Sequence, residues 1–430
     1  MTVFESSGAM PQAGYLMNGR PDVWFDETVP VDVQTAADAA LLSGQLSGIW
    51  QRLFSPAGRR RLRTFSSGEA ARLIGVSDGY LRQLSLSGDG PQPSNISQTG
   101  RRGYTLDDIN ALRAHLAAQG GAKARYYLPH RNARAGEHLQ VLAVTNFKSG
   151  SGKTTTATHL AQYLALHGYR VLAIDLDPQA SMSALLGHQA DADPNANASI
   201  YSAIRYDEEQ VPFGSVIHKT HFPGIDLSPS SLELQEFEHA TPRNLAMRHA
   251  DMESAAGERS FGRIQTAIAM VGDDYDVVVL DCPPQLGFLT LSALYAATGV
   301  IVPVNPQMLD VASMSQFLYM ISDLMSVARK AGGGPNFSFL RYLITQYEPT
   351  DGVQTQIAAF LRAQFGERVL TAPTVKSAAI SEAALVRQTL YELGRDNFQR
   401  NAYDRAMESL TTVGAEIEGL IKAAWGRTDR

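Results

Sequence analysis

The sequence predicts an α/β protein: a doubly wound, mostly parallel sheet domain preceded by a smaller helical domain. Three observations carry this. An apolar run over 139–144 leads into Lys148-Ser149-Gly150-Ser151-Gly152-Lys153-Thr154-Thr155 and then into a helical pattern ending near His167 and Gly168. Two later apolar runs, 171–174 and 277–280, end in acids, and strands alternating with helices imply parallel neighbours joined by right-handed crossovers. Residues 52–134 hold fourteen Lys/Arg against five Asp/Glu, a net of +9 in a chain of −6, so the remainder carries −15. A basic segment on an acidic body points to a nucleic-acid-binding domain; a solvated charged face is the alternative.

At 430 residues the chain exceeds one ordinary core. No run approaches the roughly 18–20 apolar residues of a membrane span, and the N-terminus lacks the basic-then-apolar order of a signal peptide, so a cytoplasmic location without membrane contact is expected. The single Cys282 excludes an intrachain disulfide and a cysteine-built metal cage, which fits a reducing compartment.

Residues 1–30, rich in Gly, Pro, Ser and Met, read as a flexible arm. Over 31–58, Leu41, Leu42, Leu46, Ile49, Trp50 and Leu53 recur at near-helical spacing and form one stripe. Such a stripe buries itself against a second copy of the chain, the expectation adopted, or against the chain's own basic domain. Residues 59–136 form that domain. Within 65–84, Ala71 lets two helices approach, Gly75 turns the chain, Ile74, Val76, Leu81 and Leu84 make a shared core, and Ser77 caps the second helix. Ser77, Asp78, Tyr80, Arg82 and Gln83 remain on the outer face for base edges or phosphates. A Pro/Gly/Ser-rich loop over 88–103 ends in Arg101 and Arg102, and a further helix opens at Thr105. The order resembles a winged helix-turn-helix of the MerR type with both arginines on the wing; a non-binding helical hairpin is the alternative. Residues 120–136 read as a basic connector.

The remaining domain, 137–430, holds the chemistry. Gly150 and Gly152 let successive N–H groups point into one concavity, and the following helix adds its positive end. Lys153 places a charge on the β and γ phosphates, and the Thr154 hydroxyl suits Mg²⁺. The general phosphate-loop pattern asks for Gly where Phe147 stands, so that pattern is not met. A buried strand closing on Asp175 and Asp177 is costly unless Mg²⁺ and Lys153 sit near; acids capping a helix are the alternative. The strand to Asp281, followed by Cys282-Pro283-Pro284, has the form of a Walker B strand: Asp281 holds Mg²⁺ through water and 282–287 acts as a switch. Strands over 300–304 and 339–345 follow, and Asn305, Pro306 and Gln307 at a strand tip are candidates for the adenine side. An excursion over 188–240, with an acidic helix near 232–238, has no assigned role. The last helix carries Leu410, Val413, Ile417, Leu420, Ile421 and Trp425; core packing is expected, because Glu408, Glu416 and Glu418 flank it where a membrane-surface anchor wants basic residues.

Lys148, five residues before Lys153, makes the loop resemble the deviant Walker A box of the ParA/MinD family of ATPases. Asp175-Leu176-Asp177-Pro178-Gln179 matches that family's A′ box. With the N-terminal module, Asp281-Cys282-Pro283-Pro284-Gln285-Leu286-Gly287 and Pro306-Gln307-Met308-Leu309-Asp310 resemble the RepA branch carried by repABC plasmids. The resemblance implies ATP and Mg²⁺ as cofactors and a homodimer that sandwiches ATP, with Lys148 reaching the partner subunit's nucleotide. It implies Lys148, Lys153 and Asp177 as catalytic, Asp177 positioning the water, and Thr154, Asp281 and Asp175 around the metal. Lys376, Arg387, Arg395 and Arg400 resemble residues that hold non-specific nucleoid DNA, although isolated basic residues are more often merely solvated. The implied biology is segregation of a plasmid or secondary chromosome with a ParB-type (RepB) partner that stimulates weak ATP hydrolysis, and repression of the chain's own operon at an operator. Ser149 stands where the family's box has Gly; if that position needs φ > 0 it costs roughly 1 kcal/mol and slows turnover. The single cysteine sets the chain apart from the related nitrogenase iron proteins. The rivals are a nucleotide-gated transcriptional repressor with negligible turnover, a MinD-like membrane ATPase, and a metabolic ATPase of the same fold.

Overall fold

A computed structural model describes residues 30–53, 60–97, 100–188, 198–249, 261–330 and 336–427. The arm expected at the N-terminus lies outside these residues up to position 29. The chain divides into two compact units, Met1–Arg59 and Arg60–Arg430. The first contributes helix α1, Val31–Leu53, on which Leu41, Leu42 and Leu46 are exposed. The side chains of Ile49, Trp50 and Leu53 lie outside the described set.

The second unit opens with β1 (Phe65–Ser66), α2 (Ser67–Ile74), α3 (Asp78–Ser87), β2 (Asn95–Ile96), β3 (Arg102–Tyr104), α4 (Leu106–Gln119) and the short α5 (Ala124–Tyr127). Ser66 and Glu69 form a capping box that starts α2, and Gly75, at φ 83°, ends it in the left-handed conformation. A side chain at Gly75 would also collide with the Tyr126 ring. Ala71, Ile74, Leu81 and Leu84 are buried together, and the Ser77 hydroxyl accepts from Tyr80 N–H to cap α3. Strand β3 pairs antiparallel with both β1 and β2, so the stretch expected as a loop contains a hairpin.

The larger sheet comprises β4 (Gln140–Val144), β5 (Val171–Asp175), β6 (His218–Lys219), β7 (Ile225–Ser228), β8 (Val277–Asp281), β9 (Gly299–Val304) and β10 (Phe339–Ile344). Its order is β10-β9-β4-β8-β5-β7-β6, parallel throughout except for β6 against β7. The excursion without an assigned role supplies both β6 and β7, strands too short to announce themselves. Helices α6 (Lys153–Leu166), α7 (Ser181–Leu185), α8 (Ile200–Ile204), α9 (Gln235–His249), α10 (Arg263–Val271), α11 (Phe288–Ala296), α12 (Met308–Lys330), α13 (Gly352–Phe365), α14 (Ala378–Leu385) and α15 (Arg400–Ala424) complete the unit. Leu142 and Val144 of β4 join one core with α6 and α15, while Val141 and Ala143 join the other with α10, α11 and α12. Burial on both faces is why these strands read as continuous apolar runs. Leu410, Val413, Ile417, Ile421 and Trp425 are buried, so packing accounts for the last stripe. No described helix is long and apolar enough to cross a membrane.

The basic segment is not tethered loosely. Phe65, Ile74, Leu112 and Leu116 share the core of α6 and α15. Arg113, 1% exposed, donates to the carbonyls of Leu73 (2.7 Å) and Leu166 (2.5 Å), the C-terminal ends of α2 and α6. The negative ends of two helices offset its charge, and burial lowers its pKa to about 10. The connector is pinned as well: His130 and the Arg131 amide bond Asp276, and Arg427 donates to Glu137 and to the carbonyls of Pro129 and His130.

Candidate nucleotide site

The sheet register places the acids. Val144, at the tip of β4, pairs with Asp281 of β8, which pairs in turn with Asp175 of β5. The loop after β4 therefore leaves the sheet level with two buried carboxylates, at the carboxyl edge where parallel sheets hold ligands.

Gly150 (φ 76°) and Gly152 (φ 87°) adopt the left-handed conformation, whereas Ser149 does not. The backbone cost anticipated for Ser149 is thus absent. Lys153 Nζ donates to the Lys148 carbonyl at 3.0 Å, folding the loop over the start of α6, a helix whose first turn has no side-chain cap. Its free N–H groups form an anion-receptive end. Burial lowers the Lys153 pKa, against which Asp281, Cys282 and Asp177 act.

Asp281 is wholly buried, and neither carboxylate oxygen has a hydrogen-bond partner. Burial, and then the neighbouring Asp175, push its pKa well up, while the adjoining Thr154 hydroxyl and Lys153 draw it down. An orphaned buried carboxylate beside a hydroxyl is a donor pair that fits a hard divalent cation. Among the described residues no group of three or more His, Cys, Asp or Glu forms a metal site. Mg²⁺ needs none, because it keeps waters and takes phosphate oxygens alongside one or two protein ligands.

Asp175, expected to support the metal region, is held by hydrogen bonds from its own side of the turn. Its Oδ1 accepts from Asp177 N–H (3.1 Å) and its Oδ2 from Ser183 N–H (2.8 Å) and Oγ (2.7 Å). Both oxygens are engaged in shaping the turn that presents half-buried Asp177, and burial raises the Asp175 pKa to about 6. Lys148 Nζ lies 3.4 Å from Asp310 Oδ1 within the same chain. Asn305 has a buried side-chain oxygen without a partner. Neither Asn305 nor Pro306 lines the cavity of about 490 Å³ that Tyr347, Pro373, Val375 and Lys376 border.

Three contacts carried no sequence signal. Thr345 Oγ1 donates to the Ser151 carbonyl (2.8 Å), and Gln346 Nε2 donates to the Gly150 carbonyl (2.7 Å). Glu238 of α9 accepts from the N–H groups of Phe288 (2.7 Å) and Leu289 (2.9 Å), capping α11 and fixing the end of segment 282–287. A side chain at Gly287 would strike that carboxylate.

The candidate DNA residues fall in two groups. On α3 and the hairpin, Tyr80, Arg82 and Arg101 are exposed and Arg102 is half-buried; Arg82 pairs with Asp78 at 2.8 Å. In the C-terminal part, Lys376 pairs with Glu348 at 2.6 Å, Arg395 pairs with Asp404, and Arg387 has φ 52° with its carbonyl accepting from Arg60.

A family model described as an AAA domain matches residues 139–331. A protein of Rhizobium rhizogenes named as a replication protein A is 52% identical over 393 residues, 91% of this chain and 94% of that protein. The chromosome-partitioning ATPase Soj of Thermus thermophilus is 31% identical over 269 residues, 63% of this chain and 94% of its own. A solved structure of a partition protein, 20% identical, gives a TM-score of 0.59 over 90% of this chain and 99% of its own, a likeness of fold. Loop, paired acids and these relatives converge: the chain belongs to the ParA family of plasmid and chromosome partition ATPases.

Proposed function

We propose that this ATPase binds ATP with Mg²⁺ on loop 148–155 and works as a homodimer that segregates a plasmid or secondary chromosome. The observation that carries the proposal is Asp281, buried and without partners beside Thr154 and Lys153. Phosphoryl transfer to water is mostly positioning and charge stabilisation. The N–H groups of the loop and Lys153 hold the phosphates, Thr154 and Asp281 would hold Mg²⁺, and Asp177 orients the attacking water. Mg²⁺, when bound, neutralises charge on the phosphate oxygens. Asn305, with its unpartnered oxygen, and Pro306 are assigned to the base side. Lys148 leaves Asp310 to reach the partner subunit's nucleotide.

Tyr80 and Arg82 on α3, with Ser77 at its cap and Arg101 and Arg102 on the hairpin, are assigned to operator DNA through a winged helix-turn-helix. Helix α1, with its exposed leucines, is assigned to pairing two copies so that two such helices meet one operator. Lys376 and Arg387 are assigned to non-specific nucleoid DNA, where only charge and reach are needed. A ParB-type partner stimulates hydrolysis, and the protein is cytoplasmic and nucleoid-associated.

ATP hydrolysis by the purified protein, alone and with duplex DNA plus the partner, tests this beside Lys153→Ala and Lys148→Ala. Stimulated turnover lost in both variants supports the motor and the sandwich dimer. Absence of turnover with ATP still changing operator binding would favour a nucleotide-gated repressor.

A further inference from the structure

We infer that Gln346 and Thr345, at the tip of β10, are positioning residues that hold the phosphate loop in its anion-receptive form. The inference rests on the reading that loop 148–155 takes a nucleoside triphosphate. In a trans peptide the N–H of one residue points opposite to the preceding carbonyl. A loop that turns its N–H groups inward must therefore send its carbonyls outward, and something must receive them. Here the receivers come from almost two hundred residues away: Gln346 Nε2 takes the Gly150 carbonyl at 2.7 Å, and Thr345 Oγ1 takes the Ser151 carbonyl at 2.8 Å. Two consecutive peptide units are thereby fixed from behind, which aims the N–H groups of Ser151 and Gly152 into the concavity.

A second observation is independent of these bonds. Gln346 sits at φ 51°, a conformation that side-chain-bearing residues rarely adopt and that glycine would take freely. The position nevertheless carries a side chain, and that side chain is the one reaching the loop. Thr345, 1% exposed, also stands against Gly152, with its Cβ and Cγ2 at 3.6 Å from where a Cβ on that glycine would be. Strand β10 is hydrogen-bonded to β9 and not to β4, from which the loop springs, so the sheet alone does not connect the two. Among the described residues, these side-chain bonds tie the outer strand to the loop's curvature.

The test separates side chain from backbone. Gln346→Gly relieves the left-handed φ while removing the donor; Gln346→Lys restores a donor; Thr345→Val and Thr345→Ser make the same contrast one residue earlier. Two readouts are taken: calorimetric affinity for Mg-ATP, and amide exchange of Ser151 and Gly152 in the nucleotide-free protein. The inference predicts that Gln346→Gly unfolds at the wild-type temperature yet binds ATP roughly fivefold to tenfold more weakly, the scale of one hydrogen bond, with faster exchange in the loop. Gln346→Lys and Thr345→Ser recover most of both, and Thr345→Val does not. Wild-type affinity and wild-type exchange in Gln346→Gly would overturn it. If the natural chain binds no ATP, the nucleotide reading falls, while equal or unequal exchange in the free protein still decides the inference.

Discussion

Strand β8 has an acid at each end, and the two are treated in opposite ways. Asp276, just before the strand, and Asp281, its last residue, are both fully buried. Burial alone would raise the Asp276 pKa, but bonds from His130 and Arg170 outweigh it and hold the carboxyl far below the usual carboxylate range. His130 Nδ1 (2.8 Å), Arg131 N–H (3.0 Å), Arg170 N–H (2.8 Å) and Arg170 Nη2 (2.7 Å) all meet it. Asp281 has no such ring of close donors, only the adjoining Thr154 hydroxyl and Lys153 acting against its burial, and its pKa moves the other way. The two ends of this strand thus differ: Asp276 is spent on the fold, clamping the basic domain's connector to the sheet, and Asp281 is the acid proposed to hold a cation. Completeness of hydrogen bonding, not burial, separates structure from function here.

The comparison breaks most readily at Asp281. Asp281→Asn should cut ATP hydrolysis by ~10²-fold or more, because it removes the carboxylate proposed to hold Mg²⁺, yet leave thermal stability equal or higher by removing a poorly satisfied buried carboxylate. Asp276→Ala should do the reverse: it strands Arg170 and His130 and costs about 3 kcal/mol in urea unfolding, with ATP affinity in the surviving folded protein unchanged. The acid side of the stability profile sharpens the contrast. A carboxyl with a depressed folded-state pKa contributes stability that is present above its unfolded pKa, near ~4, and is lost as pH falls through the folded value. Asp276→Asn should therefore flatten the fall in melting temperature below about pH 4. It reduces the slope without abolishing it, since Glu137, Glu392 and Glu418 shift in the same direction. The smallest effect belongs to Lys148 and Asp310, a pair 3.4 Å apart whose lysine is 43% exposed. Asp310→Asn should change stability by less than ~1 kcal/mol, read from the melting temperature.

The acids and glycines were legible because their positions are local facts: an apolar run must end somewhere, and a left-handed turn asks for Gly150 and Gly152. What packs behind them was not legible. Ser183, eight positions on, donates twice to one oxygen of Asp175, a contact that the acid's place at a strand end does not announce. Thr345, Gln346 and Glu238 act across long sequence separations, and strands β6 and β7 are too short to show a period. Ser149 shows the limit in the other direction: only the backbone reveals that the serine stands where no left-handed turn is made. The connector read as a basic linker because nothing in 120–136 announces that Asp276, more than a hundred residues later, will receive it.

The most direct measurement is the melting temperature of the natural chain and of Asp281→Asn, each without ligand, with ATP alone, and with ATP plus Mg²⁺. The natural chain should gain several degrees only when Mg²⁺ accompanies ATP, on the order of 5 °C at a hundredfold excess over the dissociation constant. Asp281→Asn should start at or above the natural chain and show no Mg²⁺-dependent gain. A variant that starts lower and keeps the full Mg²⁺-dependent gain would contradict the claim that this acid is reserved for the cation.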